Sequence, residues 1–228
     1  MGADYLVTGS VNQACVESGS CDYVRQALAQ AQQADITMAP AADMFEMGVK
    51  LQVLKRGTMF PMRAGKLYDL YKTYNSLEEI PASVRANLEK TVFLQPIDDI
   101  WQQTRDFFLK REPAQAQKAD RDPKHKMALV FRWYLGLSSR WANAGDLSRK
   151  MDFQIWCGPA MGAFNQWTAD TFLADYQNRD TVTVGLNLLY GAAVASRINI
   201  LRSQGVKLDE SVKQIKPQTR NALEAYCK

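Results

Sequence analysis

The chain has 228 residues, 46% of them hydrophobic and 23% charged, which fits one large or two small globular domains with a substantial buried core. Its net charge is only +4, from 28 basic and 24 acidic residues. That excludes the strongly basic footprint of a nucleic-acid-binding protein and leaves anionic small ligands or an acidic carrier protein as fitting partners.

In chain order, Tyr5-Leu6-Val7 is a short apolar run between Asp4 and Gly9. That is the pattern of a strand buried on both faces, spanning Tyr5 to Thr8. Gly9-Ser10 reads as its phosphate-binding end. Asp22 to Gln33 carries Val24, Leu28 and Ala31 at helical spacing. Asp35 to Pro40 is extended. Met44-Phe45-Glu46-Met47 forms an apolar turn or short helix closed by Gly48. Val49 to Leu54 alternates apolar and polar residues, as a strand does.

Helices dominate the remainder. Pro61 to Tyr74 has a helical period, and Ser76-Leu77-Glu78-Glu79 has the spacing of a capping box. Pro81 to Phe93 and Pro96 to Leu109 are amphipathic. Pro113 to Asp120 is polar and alanine-rich, an exposed linker helix. Asp122-Pro123 supplies a cap and a first-turn proline for a helix running to about Asn143, with Ala144-Gly145 ending it. Its apolar coverage is wide enough to require more than one neighbour. Phe153 to Gly162 reads as a loop, Thr183 to Gln204 as a long helix rich in small residues, and Asp209 to Tyr226 as an amphipathic helix interrupted near Pro217.

No run of about 18 apolar residues stands out, so no membrane span is expected. The N-terminus lacks the basic and apolar regions of an export signal. Cys15, Cys21, Cys157 and Cys227 match no zinc spacing and read as reduced thiols in a cytoplasmic protein.

A single strand needs neighbours to bury it, and few other segments qualify. The expected fold is therefore mainly α. The chain reads as the C-terminal part of something longer, its first residues being the last strand of a barrel whose earlier strands are missing.

Longer motifs make this specific. "GADYLVTGSVNQACVESGSCDYVRQAL" resembles the last barrel strand of flavin enzymes of the nitronate monooxygenase and enoyl reductase kind. "APAADMFEMGVKLQVLKRGTMFPMRAGKLYDLY", "RDPKHKMALVFRWYLGLSSRWANAG" and "DFQIWCGPAMGAFNQW" resemble the C-terminal half of the PfaD-type enoyl reductases. Those enzymes serve polyunsaturated fatty acid synthases and trans-acyltransferase polyketide synthases. The resemblance runs from Gly2 to about Gly205. It implies an FMN-binding barrel, reduced by NADPH, that saturates enoyl thioesters on an acyl carrier protein, with other synthase subunits as partners. It also implies an inserted helical segment like that of malonyl-CoA:acyl-carrier-protein transacylases, at about Lys66 to Arg149. The fold the resemblance implies is the C-terminal fragment of a TIM-like α/β barrel, with the last strand near its N-terminus and a large helical inserted domain, in three parts: residues 1–65 as the barrel remnant, 66–149 as the inserted helices and 150–228 as C-terminal helices.

Phosphate sites in such barrels form from late loops and a helix N-terminus. The amides of Gly9, Ser10 and Val11 and the Ser10 hydroxyl are the candidate FMN-phosphate donors. An ordinary strand-to-helix turn is the alternative reading. Asn12 and Gln13 either line the same pocket or bond at a helix start. Lys50, Lys55, Arg56, Arg63 and Lys66 form a basic cluster that would meet phosphates or an acidic carrier, or else a solvated face.

His125, the only histidine, sits in a first helical turn and reads as a surface or capping residue. Gly136-Leu137-Ser138-Ser139-Arg140 is no nucleophile elbow, so acyl transfer has no support. Trp133, Trp141, Trp156 and Trp167, with Phe131, Tyr134 and Phe164, form either structural core or the wall of an acyl tunnel. Trp156-Cys157-Gly158-Pro159 is a candidate lid. No catalytic residue or metal ligand emerges. Two functions follow. One is part of an FMN-dependent enoyl reductase, expected to be inactive as an isolated fragment. The other is a non-catalytic helical module that docks an acyl carrier protein or synthase partner.

Overall fold

The structure is a computed structural model that describes residues 7–213 and 215–225. It is mainly helical. The chain divides into two compact units, one running up to Asp35 and resuming at Gly158, the other Ile36–Cys157.

The Ile36–Cys157 unit opens with β1 (Ile36–Pro40) and β2 (Lys50–Leu54), which pair antiparallel with Ile36 opposite Leu54 and Pro40 opposite Lys50. The turn between them places Phe45 in the core, fully buried. Residues 155–157 continue this ribbon. Leu54 N donates to Ile155 O at 2.9 Å, Cys157 N donates to Gln52 O at 3.2 Å, and Trp156 bridges Val53. Trp156 and Cys157 of the candidate lid are thus part of a ribbon edge.

Five helices follow: α2 (Phe60–Thr73), α3 (Ala82–Leu88), α4 (Ile97–Arg111), α5 (Pro113–Ala119) and α6 (Pro123–Ala144). α6 is the centre of the packing. Met127, Leu129, Val130, Phe131, Tyr134 and Leu135 are all buried, as its wide apolar coverage requires. Asp122 caps it by accepting from His125 N at 3.0 Å, and Pro123 occupies the first turn. Gly145 closes it at φ +71°, where a side chain would be strained. Replacing Asp122 with alanine is expected to cost about 1 kcal/mol, measurable as a lowered urea midpoint with an unchanged slope.

The other unit holds α1 (Asp22–Ala29), α7 (Ala160–Thr168), α8 (Thr181–Ser203) and α9 (Arg220–Ala225). Asn165 joins three of its parts. Its Nδ2 donates to Leu28 O and Ala31 O, each at 2.8 Å, so it caps the C-terminal end of α1. Its Oδ1 accepts from Arg179 Nη1 at 2.8 Å. Arg179 is buried, and burial pushes its guanidinium down to about 10. It therefore stays charged at neutral pH, held by Asn165 and by Leu173 O at 2.7 Å.

Several expectations are corrected. Tyr5 and Leu6 lie outside the described residues, but Val7 is 88% exposed and in no strand. Among the described residues it has no neighbouring strand to cover it. The 76–79 motif makes its bonds, with Glu79 N donating to Ser76 Oγ at 3.2 Å and Asn75 N donating to Glu79 Oε2 at 2.8 Å. Those bonds close a turn, and Pro81 resets the start of α3.

α5 is not an exposed linker, because Ala116 and Ala119 are buried. Gly162 falls within α7, not in a loop. Among the described residues of the C-terminal segment, helix is confined to Glu210–Lys213 and Arg220–Ala225, since Pro217 lacks the N–H that a continuous helix needs. One helix does reach membrane-spanning length and apolarity by composition, namely α8. Its N-terminal half is pinned within its own unit, where buried Asn187 donates to Gln218 O at 3.0 Å and accepts from Gln218 N at 2.7 Å.

Candidate functional site

The phosphate candidates lie in the turn that leads into a short 3-10 helix, Asn12–Ala14. Gln13 N donates back to Gly9 O at 3.2 Å, and Asn12 Nδ2 donates to Thr8 O at 2.9 Å. This leaves the N–H groups of Gly9, Ser10 and Val11 without a partner among the described residues. Ser10 Oγ accepts from Gly158 N at 2.8 Å, so its own proton is free to donate elsewhere. Among the described residues, a side chain on Gly9 would meet nothing within 4 Å. Free amides around a small loop form an anion-binding concavity. Asn12 thus bonds at the helix start.

The basic cluster does not form a single patch. Arg63 pairs with Asp152, and Lys66 Nζ donates to Asn87 Oδ1 at 3.3 Å. Lys50 and Lys55 stay exposed. The aromatic set is also divided. Phe131 and Tyr134 are core, Trp133 meets Trp141 edge-on at 6.1 Å, and Phe164 meets Trp167 in the other unit. Trp156 is 51% exposed.

His125 is buried, against expectation. Nδ1 lies 2.8 Å from Glu46 Oε1 and Nε2 lies 2.8 Å from Gln115 Oε1. Gln115 is itself oriented by donating Nε2 to Glu112 Oε1 at 3.1 Å. Both ring nitrogens thus face oxygen acceptors, which ties the β1–β2 turn to α5 and α6.

A buried polar network around Asp152 has no counterpart in the sequence reading. Tyr134 Oη donates to Asp152 Oδ1 at 2.7 Å, and Arg63 pairs with the same oxygen. Arg149 Nε lies 3.0 Å from Asp152 Oδ2 as an ion-pair contact without an aligned hydrogen bond. The Arg149 fork then donates to Val92 O at 2.7 Å and Phe93 O at 3.1 Å. These are carbonyls of the π turn (Glu89–Phe93) that ends α3, so a buried cation caps that end. Burial, and then the Asp152 carboxylate, push the Tyr134 phenol well above its ordinary value. It stays a proton donor. Tyr134, Arg149 and Asp152 are buried, and the role of the network is structural.

Comparisons with known proteins agree with the motif reading. Residues 74–153 match the family model of the acyl-carrier-protein S-malonyltransferase inserted helical domain. The chain is 53% identical over 208 residues to one of the polyunsaturated fatty acid synthase proteins of Thraustochytrium sp., covering 89% of this chain and 14% of that protein. It is 46% identical over 194 residues to the polyketide biosynthesis protein PksE of Bacillus subtilis, covering 85% of this chain and 25% of that protein. The chain is a homologue of part of these synthesis proteins.

It also superposes on the crystal structure of the enoyl reductase domain of MlnA, from the macrolactin cluster of Bacillus amyloliquefaciens. The TM-score is 0.80 at 38% identity, covering 88% of this chain and 45% of that one. The resemblance to enoyl reductases of polyunsaturated fatty acid and polyketide synthesis is therefore borne out. The chain spans a quarter or less of the length of these curated relatives.

Proposed function

We propose that this chain is part of an FMN-dependent enoyl reductase, reduced by NADPH. Its substrates are enoyl thioesters on an acyl carrier protein, in polyunsaturated fatty acid or polyketide synthesis. The carrying observation is the match to the MlnA enoyl reductase domain across 88% of the chain. On this reading the reaction runs in the cytoplasm, beside the other synthase subunits.

Within this reading, Gly9, Ser10 and Val11 bind the FMN phosphate. Their unpartnered amides and the free Ser10 proton are the kind of donors a phosphate anion takes. Bound flavin supplies the redox chemistry, while these residues contribute binding and orientation. The helical insert packs and does not transfer acyl groups, because Ser138 is buried inside α6 and donates to Tyr134 O at 2.7 Å.

Flavin retention tests the assignment. The native protein containing this chain is expected to purify with FMN and to oxidise NADPH when given an enoyl thioester on acyl carrier protein. Ser10→Asp sets a carboxylate against the phosphate and is expected to lower FMN affinity by about tenfold or more, with the circular dichroism unchanged. Undiminished FMN content in Ser10→Asp refutes the phosphate turn. A colourless protein that binds carrier protein favours the docking-module reading.

A further inference from the structure

A cleft of about 590 Å³ opens between α4 and α6, within the size range of small-molecule sites. Phe107, Phe108, Leu129, Trp133 and Leu137 give it apolar walls. Phe107 is 49% exposed there, an unfavourable placement for a free phenyl ring. The buried Thr104 hydroxyl in the α4 wall has no partner among the described residues.

Arg132 and Arg140 also line the cleft, and neither has an ion-pair or hydrogen-bond partner among the described residues. Asp43 is the single acidic residue in the lining and pairs with neither. The lining is therefore net cationic. Eight residues apart on one helix, the two arginines are separated by about 12 Å along its axis, with Trp133, Gly136 and Leu137 between them.

Gly136 lies in the interior of α6, where glycine is unfavourable relative to alanine. A Cβ there would meet nothing within 4 Å. No contact among the described residues demands glycine, and its effect is to keep the floor of the cleft open.

We propose that this cleft binds a free long-chain carboxylate. The hydrocarbon lies along Phe107, Trp133 and Leu137, and the carboxylate takes the unpaired guanidinium groups of Arg132 and Arg140, whose forks suit a carboxylate. The inference stands on the cleft alone and does not depend on the reductase reading.

The test uses the 228-residue chain with 9,10-dibromostearate and palmitate, both below their critical micelle concentrations. Dibromostearate is expected to quench tryptophan fluorescence saturably, palmitate to compete, and Trp133→Phe to remove most of the quenching. Gly136→Leu fills the floor and is expected to raise the dissociation constant about tenfold or more, with the melting temperature held. The double variant Arg132→Gln/Arg140→Gln is expected to do the same and to erase any preference for palmitate over methyl palmitate. No saturable quenching, equal binding of the methyl ester by the unmodified chain, or unchanged affinity in Gly136→Leu overturns the proposal. So does binding of palmitoyl-coenzyme A or acyl carrier protein without binding of the free acid.

Discussion

Replacing Asp152 with alanine is expected to destabilise the Ile36–Cys157 unit by about 3–5 kcal/mol, the cost of leaving buried charge uncompensated. Asp152 is 2% exposed and faces two guanidinium groups and a phenol. Its loss strands Arg149, whose fork must still cap the end of α3. Differential scanning calorimetry should show a fall in melting temperature of roughly 10 °C, at a few degrees per kcal/mol for a unit of this size.

Tyr134→Phe should cost less, about 1.5–3 kcal/mol for a hydrogen bond to a charged acceptor. It also has a distinct pH signature. The folded protein holds this phenol above its ordinary value, so the contribution of Tyr134 is fully present below the unfolded value of about 10. It is lost as pH rises beyond that, because only the unfolded chain then releases the proton. The phenylalanine variant should show a shallower alkaline loss of stability. Equal alkaline slopes would refute the assignment of Tyr134 as a buried donor.

Gly162→Ala is the second large effect. A methyl group there would lie 2.8 Å from Gln33 Cα and closer still to the Gln33 nitrogen. The obstacle is main chain and cannot rotate away, so α7 or the Gln33–Asp35 turn must move. A cost of about 1–3 kcal/mol is expected, despite alanine's better helix propensity. Hydrogen exchange should rise in 160–168 and 33–35 together. Gly191→Ala is the control. Its methyl would meet the Trp167 ring at 3.3 Å, a side chain able to shift, so little change is expected. Matching losses in the two variants would argue against a backbone cause.

Local features are legible in the sequence where adjacent residues decide them. Asp122-Pro123 and Ala144-Gly145 bracket α6, and the wide apolar coverage between them announces its central position. The antiparallel β1 and β2 are both readable as extended segments. The α7 helix is hidden because Gly158, Pro159 and Gly162 look like a loop, whereas Gly162 is glycine to admit a neighbouring backbone. His125 misleads because its partner Glu46 lies 79 residues away in sequence. The Asp152 network is invisible for the same reason: Arg63 and Val92 belong to distant segments that only packing brings together. The turn proposed to bind phosphate is suggested by Gly9-Ser10. Its contact with Gly158, 148 residues on, carries no sequence signal.

The ribbon formed by β1, β2 and residues 155–157 has a consequence for how such proteins diversify. Ile36 pairs with Leu54, and Leu54 bonds to Ile155. The entry and exit of the Ile36–Cys157 segment therefore emerge two strands apart, about 10 Å at ordinary strand spacing. A segment whose ends meet this closely is a transplantable cassette. It can be spliced into a surface loop of a host, or cut out and replaced by a few residues, without stretching the host chain.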